Sequence, residues 1–154
     1  MTFERSLDMH AQYQMREEPS VHYMIDVIKA AKAKLPESNL TKEELKAFRR
    51  YSAWIQKLTE LERDRKKEID THALILTGPK RCVINFDFIC IEWATRRIRR
   101  LDSRIMSAIT DPSMERILAA GTDQLRKNPH LESWRERQKE RNHQDYLYRI
   151  ITEK

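Results

Sequence analysis

Residues 80–109, KRCVINFDFICIEWATRRIRRLDSRIMSAI, decide how the chain is read. From Phe86 onward, apolar residues recur at Cys90, Ala94, Ile98, Leu101, Ile105 and Ala108 or Ile109. Steps of three and four residues put them on one face of an α-helix. Asn85 or Asp87 supplies its N-cap, because a short polar side chain accepts from the free N–H groups of the first turn. The same helix carries Arg96, Arg97, Arg99, Arg100 and Arg104. The clearest apolar stripe and the densest positive charge therefore share one element.

On the N-terminal side of this stretch stands Gly78-Pro79. Glycine can end a helix in the left-handed conformation, and proline just after it blocks continuation. Two readings follow. In the preferred one, helices over 41–76 and 86–109 form a central antiparallel pair joined here. In the other, 73–77 and 82–86 pair as a short β-hairpin, since Ile84, Phe86 and Phe88 alternate with Asn85 and Asp87. The helix before the glycine has the strongest start signal in the chain, Thr41-Lys42-Glu43-Glu44, a capping box preceded by Leu40. It continues through Leu45, Phe48, Tyr51, Ile55, Leu58 and Leu61, then meets seven consecutive charged residues, 62–68. That run reads as an exposed helix surface laced with salt bridges.

Further out, Ser20 caps a helix over 20–35 with the stripe Val21, Met24, Ile25, Ile28 and Ala31, stopped by Pro36. Residues 1–18 have weak caps and form an arm, either packed against the core or a partner or frayed. Asp111-Pro112 restarts a helix bearing Met114, Ile117, Leu118 and Leu125, with Gly121 as a point where it can split. Asn128-Pro129 restarts the last one at Leu131 and Trp134. Its stretch 135–145 has no apolar side chain and reads as a solvated face. The expectation is an all-α fold, a single helical domain over 1–154 with four to five helices.

Of 154 residues, 35% are charged and 2 are Gly, and the formal charge is +6. The excess is uneven: residues 80–110 carry seven basic groups against three acidic ones. A concentrated positive face attracts polyanions. Arg97, Arg100 and Arg104 form a row along one flank of the helix, about 10 Å long, on the scale of a few backbone phosphates. Arginine suits phosphate because its planar fork donates parallel hydrogen bonds. The competing reading pairs these arginines with Glu62, Asp64 and Glu68 of the facing helix, and Asp102 is the one acid inside the row. Trp93, one turn before Arg97, suits base stacking in a single strand; core packing is the commoner role of such a tryptophan.

Enzyme signals are weak. The five histidines form no zinc spacing, and with 2 Gly a backbone cradle for phosphate is hard to build. Two cysteines, Cys82 and Cys90, make no disulfide framework; if both lie in one helix they are about two turns apart, too far to bridge, and they read as buried thiols. There is no signal-peptide run and no stretch of about 18 apolar residues. The sequence thus suggests a cytoplasmic, soluble, non-enzymatic nucleic-acid-binding regulatory or accessory protein without metal or cofactor. Lys80, Arg81, Arg96, Arg97, Arg99, Arg100 and Arg104 are its expected phosphate contacts. The alternative is a helical inhibitor or adaptor of another protein, with a homodimer expected because apolar ends and charged middles leave patches to cover.

Overall fold

The computed structural model describes residues 20–77 and 85–152, with side chains over 20–71 and 90–152. These residues form five α-helices: α1 Val21–Lys34, α2 Lys42–Thr77, α3 Asn85–Met106, α4 Glu115–Lys127 and α5 Trp134–Thr152. Short 3-10 turns at Glu37–Asn39, Ser107–Thr110, Pro112–Met114 and Pro129–Leu131 lie between them. No strand occurs among the described residues, so the hairpin over 73–86 is not formed: 73–77 continue α2, and Asn85 and Phe86 belong to α3. Nothing before Gly78 breaks the helix, and extending it adds one hydrogen bond per residue where a new strand would have to be nucleated. The expected turn at Gly78-Pro79 and the N-terminal arm lie outside the described residues. So do Lys80, Arg81 and Cys82. No helix among the described residues is long and apolar enough to cross a membrane.

The start signals work as the side chains dictate. Ser20 Oγ accepts from the Tyr23 N–H at 3.2 Å. Glu44 N–H donates to Thr41 Oγ1 at 3.2 Å while Glu44 Oε1 accepts from Thr41 N–H at 2.9 Å, a complete capping box. Asp111 caps the turn containing Pro112 through Ser113 N–H. Leu35 leaves α1 in an extended conformation because Pro36 disfavours helical geometry before it.

The most enclosed element is α1, not the arginine-bearing helix. Val21, His22, Met24, Ile25, Asp26, Val27, Ile28, Ala30 and Ala31 are all buried, which takes in most of its circumference. The main core joins α1 to Ala47, Phe48, Tyr51, Ile55, Leu58 and Leu61 of α2, Ile98, Leu101 and Ile105 of α3, and Met114 and Ile117. A second cluster unites Val27 and Ala30 with Leu125, and a third unites Ile69, Ile91 and Ile151.

Three local expectations need correction. Cys90 is exposed; among the described side chains the inner stripe of α3 takes in Ile91, seven residues from Ile98 and so nearly in line with it, whereas Cys90 is turned by about 80°. Gly121 does not split α4, which runs unbroken through it. The charged runs are not simply solvated: Arg65, Arg141 and Gln144 are buried, since the helical register of α2 and α5 carries them onto the inner face.

Candidate functional site

The inner residues Ile98, Leu101 and Ile105 fix the rotation of α3. That rotation aligns Trp93, Arg97, Arg100 and Arg104 along one flank. Together with Leu101 they line a cavity of about 380 Å³. From Trp93 to Arg104 this flank spans about 16 Å along the helix axis. Trp93 is 56% exposed and is not a core residue. The Arg97 guanidinium lies over its ring, 4.6 Å from the centroid. Near the other end α2 contributes Trp54, whose ring sits 5.8 Å from the Arg104 guanidinium and 5.6 Å from that of Arg50. Trp54 is held edge-on against Tyr51. The Tyr51 hydroxyl is hydrogen-bonded with Ser107 Oγ at 3.0 Å and donates to Asp111 at 3.0 Å, which ties α2 to the end of α3.

Of the five arginines expected on this helix, Arg97, Arg100 and Arg104 share the cavity; Arg96 and Arg99 do not line it. Arg96 pairs with Glu92 one turn back, at 2.9 Å. Arg99 is exposed on the far flank, about 130° round the helix from the row. The structure does not describe Lys80 and Arg81. Trp54 and Arg50 were not legible as neighbours of this site, because only the packing of α2 on α3 brings them there. Trp93 carried a signal, its spacing of four from Arg97, but core packing competed for the same residue.

The charge of the row stands because the acids around it are committed elsewhere. Among the described residues, Arg97, Arg100 and Arg104 enter no ion pair. Asp102, inside the row in sequence, turns to Arg141 of α5, whose Nη atoms donate to its two oxygens at 2.8 and 3.2 Å. Glu62 accepts from Arg141 Nε at 3.1 Å and lies 2.8 Å from His22 Nε2. Asp64 is contacted by its own neighbour Arg63 at 4.0 Å. Pairing of the arginine row with Glu62 and Asp64 is therefore not what the fold does.

These partners belong to a polar seam along which α5 lies on α1, α2 and α3. His22, fully buried, meets Glu62 on one ring nitrogen and Gln138 Oε1 at 2.9 Å on the other. Burial opposes ionisation of Glu62, but the His22 hydrogen bond and the charges of Arg141 and Arg137 outweigh it and hold the carboxyl below its ordinary range. Burial likewise opposes the Arg141 charge, and the Asp102 hydrogen bonds with the Glu62 and Asp102 charges overcome it and raise its affinity for the proton. Arg65 reaches Asp145 at 2.8 Å and Thr95 at 3.3 Å. Asp26, buried on α1, accepts from Ser133 N–H at 2.8 Å and from Ser133 Oγ at 3.1 Å, anchoring the start of α5. No spacing rule in the sequence marks His22, Asp26, Glu62 and Arg141 as one network; they are up to 119 positions apart.

Among the described residues, no three His, Cys, Asp or Glu side chains converge as they would to hold a metal ion. No protein-family model, curated protein or solved structure matches the chain.

Proposed function

We propose that the chain is a non-enzymatic nucleic-acid-binding regulatory or accessory protein that acts inside the cell and holds phosphates on Arg97, Arg100 and Arg104. One observation carries the reading: three guanidinium groups line a single cavity while the nearby acid Asp102 is turned away to Arg141. Each guanidinium can fork onto a phosphate oxygen pair. Cations gathered in a concavity raise the local potential beyond that of scattered surface charges. On the same reading α2 and α3 form the central antiparallel pair. Contacts of Tyr51 with Ser107, Trp54 with Arg104 and Arg65 with Thr95 support that arrangement.

The test replaces Arg97, Arg100 and Arg104 together by Gln, which has similar helix propensity. All three are surface residues without ion pairs among the described groups, so the variant should keep its melting profile by circular dichroism. Nucleic-acid affinity should fall. The slope of log K against log salt should shrink by up to roughly 3, because each phosphate that an arginine neutralises releases about one condensed counterion. Unchanged affinity in a folded triple variant would remove the row from the site.

A second reading is favoured by Tyr146 and Ile150, one turn apart on α5 and 55% and 37% exposed. An apolar pair of this kind suits a helical inhibitor or adaptor that docks on another protein or on a second copy. It is distinguished by weak nucleic-acid binding of the wild type and by weakened protein association on replacing Tyr146 and Ile150 with Ser.

A further inference from the structure

We infer that the nucleic acid taken by this site is single-stranded, with an unpaired base stacked at Trp93 while its flanking phosphates lie on Arg97, Arg100 and Arg104. The inference rests on the phosphate reading of the same row and deepens it. Bracing Arg97 accounts for the part of the Trp93 ring that the guanidinium covers, and phosphate recognition gives the exposed remainder no role. A tryptophan more than half exposed keeps a large apolar ring in water, and among the described residues its ring partner is Arg97, a cation of the same row. Arg97 covers part of that ring and leaves the rest open to a flat ligand. The lining of the cavity also includes Leu101, an apolar side chain beside the guanidinium groups.

A duplex has little use for such a surface. Its bases are stacked on one another and present edges in the grooves, while its phosphates run along a convex exterior. An apolar ring beside the phosphate contacts would gain nothing unless the duplex were unstacked. A single strand presents both at once, phosphates and base faces within one nucleotide of each other. Aromatic rings beside a positively charged track bind it with little dependence on sequence, since every base has a π-face. Guanidinium planes add to this by stacking on bases themselves. Trp54 at the other end, between Arg50 and Arg104, is half-buried and braced by Tyr51. It keeps Arg104 in line and is not assigned a base.

The test uses three fluorescein-labelled probes at one fixed salt concentration: a thymidine 20-mer, a 20-base-pair duplex, and a 20-mer of abasic deoxyribose phosphates. Wild type should bind the thymidine strand at least roughly tenfold more tightly than either the duplex or the abasic strand. Trp93→Leu, an exposed substitution that keeps helix propensity, should weaken thymidine-strand binding by about 5- to 150-fold, the range for removing one stack. It should leave abasic-strand binding and the salt slope unchanged, and Trp93→Phe should restore part of the affinity. Equal wild-type affinity for strand and duplex, or no preference over the abasic strand, would overturn the inference. In that case a steep salt slope reduced by the triple arginine variant would leave the phosphate reading standing. Absence of binding to all three probes would overturn both.

Discussion

Replacing Gly121 by Ala sets two physical effects against each other at a buried contact. In an isolated helix the change is favourable by about 1 kcal/mol, because alanine loses less backbone freedom than glycine. In this fold the added Cβ would lie 2.0 Å from the Val27 carbonyl oxygen and 2.8 Å from both the Val27 carbonyl carbon and Cγ1. Real Cβ atoms essentially never approach within 3.0 Å, so α4 and α1 must separate by about 1 Å. The obstacle is backbone of a helix buried on most sides, which cannot rotate away as a side-chain tip would. Separation loosens the cluster of Val27, Ala30 and Leu125, to which Tyr23 and Leu118 also belong. Overpacking of this kind costs about 3 kcal/mol. Less the propensity gain, the net loss should be about 2 kcal/mol, or a fall of roughly 4–8 °C in Tm for a chain of this size. Urea denaturation followed by far-ultraviolet circular dichroism measures it. An Ala variant as stable as wild type, or more so, would mean that α1 and α4 do not meet at Gly121, and the packing described for α4 would be wrong.

Arg141→Met should destabilise by about 2–3 kcal/mol in the same assay, because Glu62 and Asp102 lose the cation that neutralises both. The figure lies below the range for fully buried pairs since both acids keep some access to water. Glu44→Gln tests the pair with Arg116. The Arg116 hydrogen bonds, then the Thr41 N–H, hold the Glu44 carboxyl at about 2, down from 4.5. A carboxylate with a lowered folded value contributes stability above its ordinary value and loses it as the pH falls through the folded one. The Gln variant, which keeps the capping geometry, should therefore be about 1 kcal/mol less stable at neutral pH, the partner Arg116 being half exposed. Its difference from wild type should close as the pH drops from 4.5 to about 2. A difference independent of pH across that range would show that the pair's charge contributes nothing.

What the sequence by itself determined is everything that acts over a few residues. Ser20, the Thr41–Glu44 box and Asp111-Pro112 start helical elements because a side chain reaches backbone N–H groups two or three residues on. Apolar spacing marked the inner faces of α1 and α2 and, from Ala94 onward, of α3, because an α-helix repeats every 3.6 residues whatever packs against it. The arginine row was visible for the same reason. Tertiary structure decided which helix lies at the centre, since burial around α1 depends on α3, α4 and α5 converging on it. It turned Gly121 from a weak point into the place where two helices touch, because a missing Cβ has meaning only against the atoms it would meet. It drew Arg65, Arg141 and Gln144 inward from runs that read as solvated, since a buried ionic group is tolerable only where partners from other elements meet it. It also decided which arginines face one cavity and, among the described residues, left them without an acid, for Asp102 and Arg141 are 39 residues apart and meet through the packing of α5 on α3.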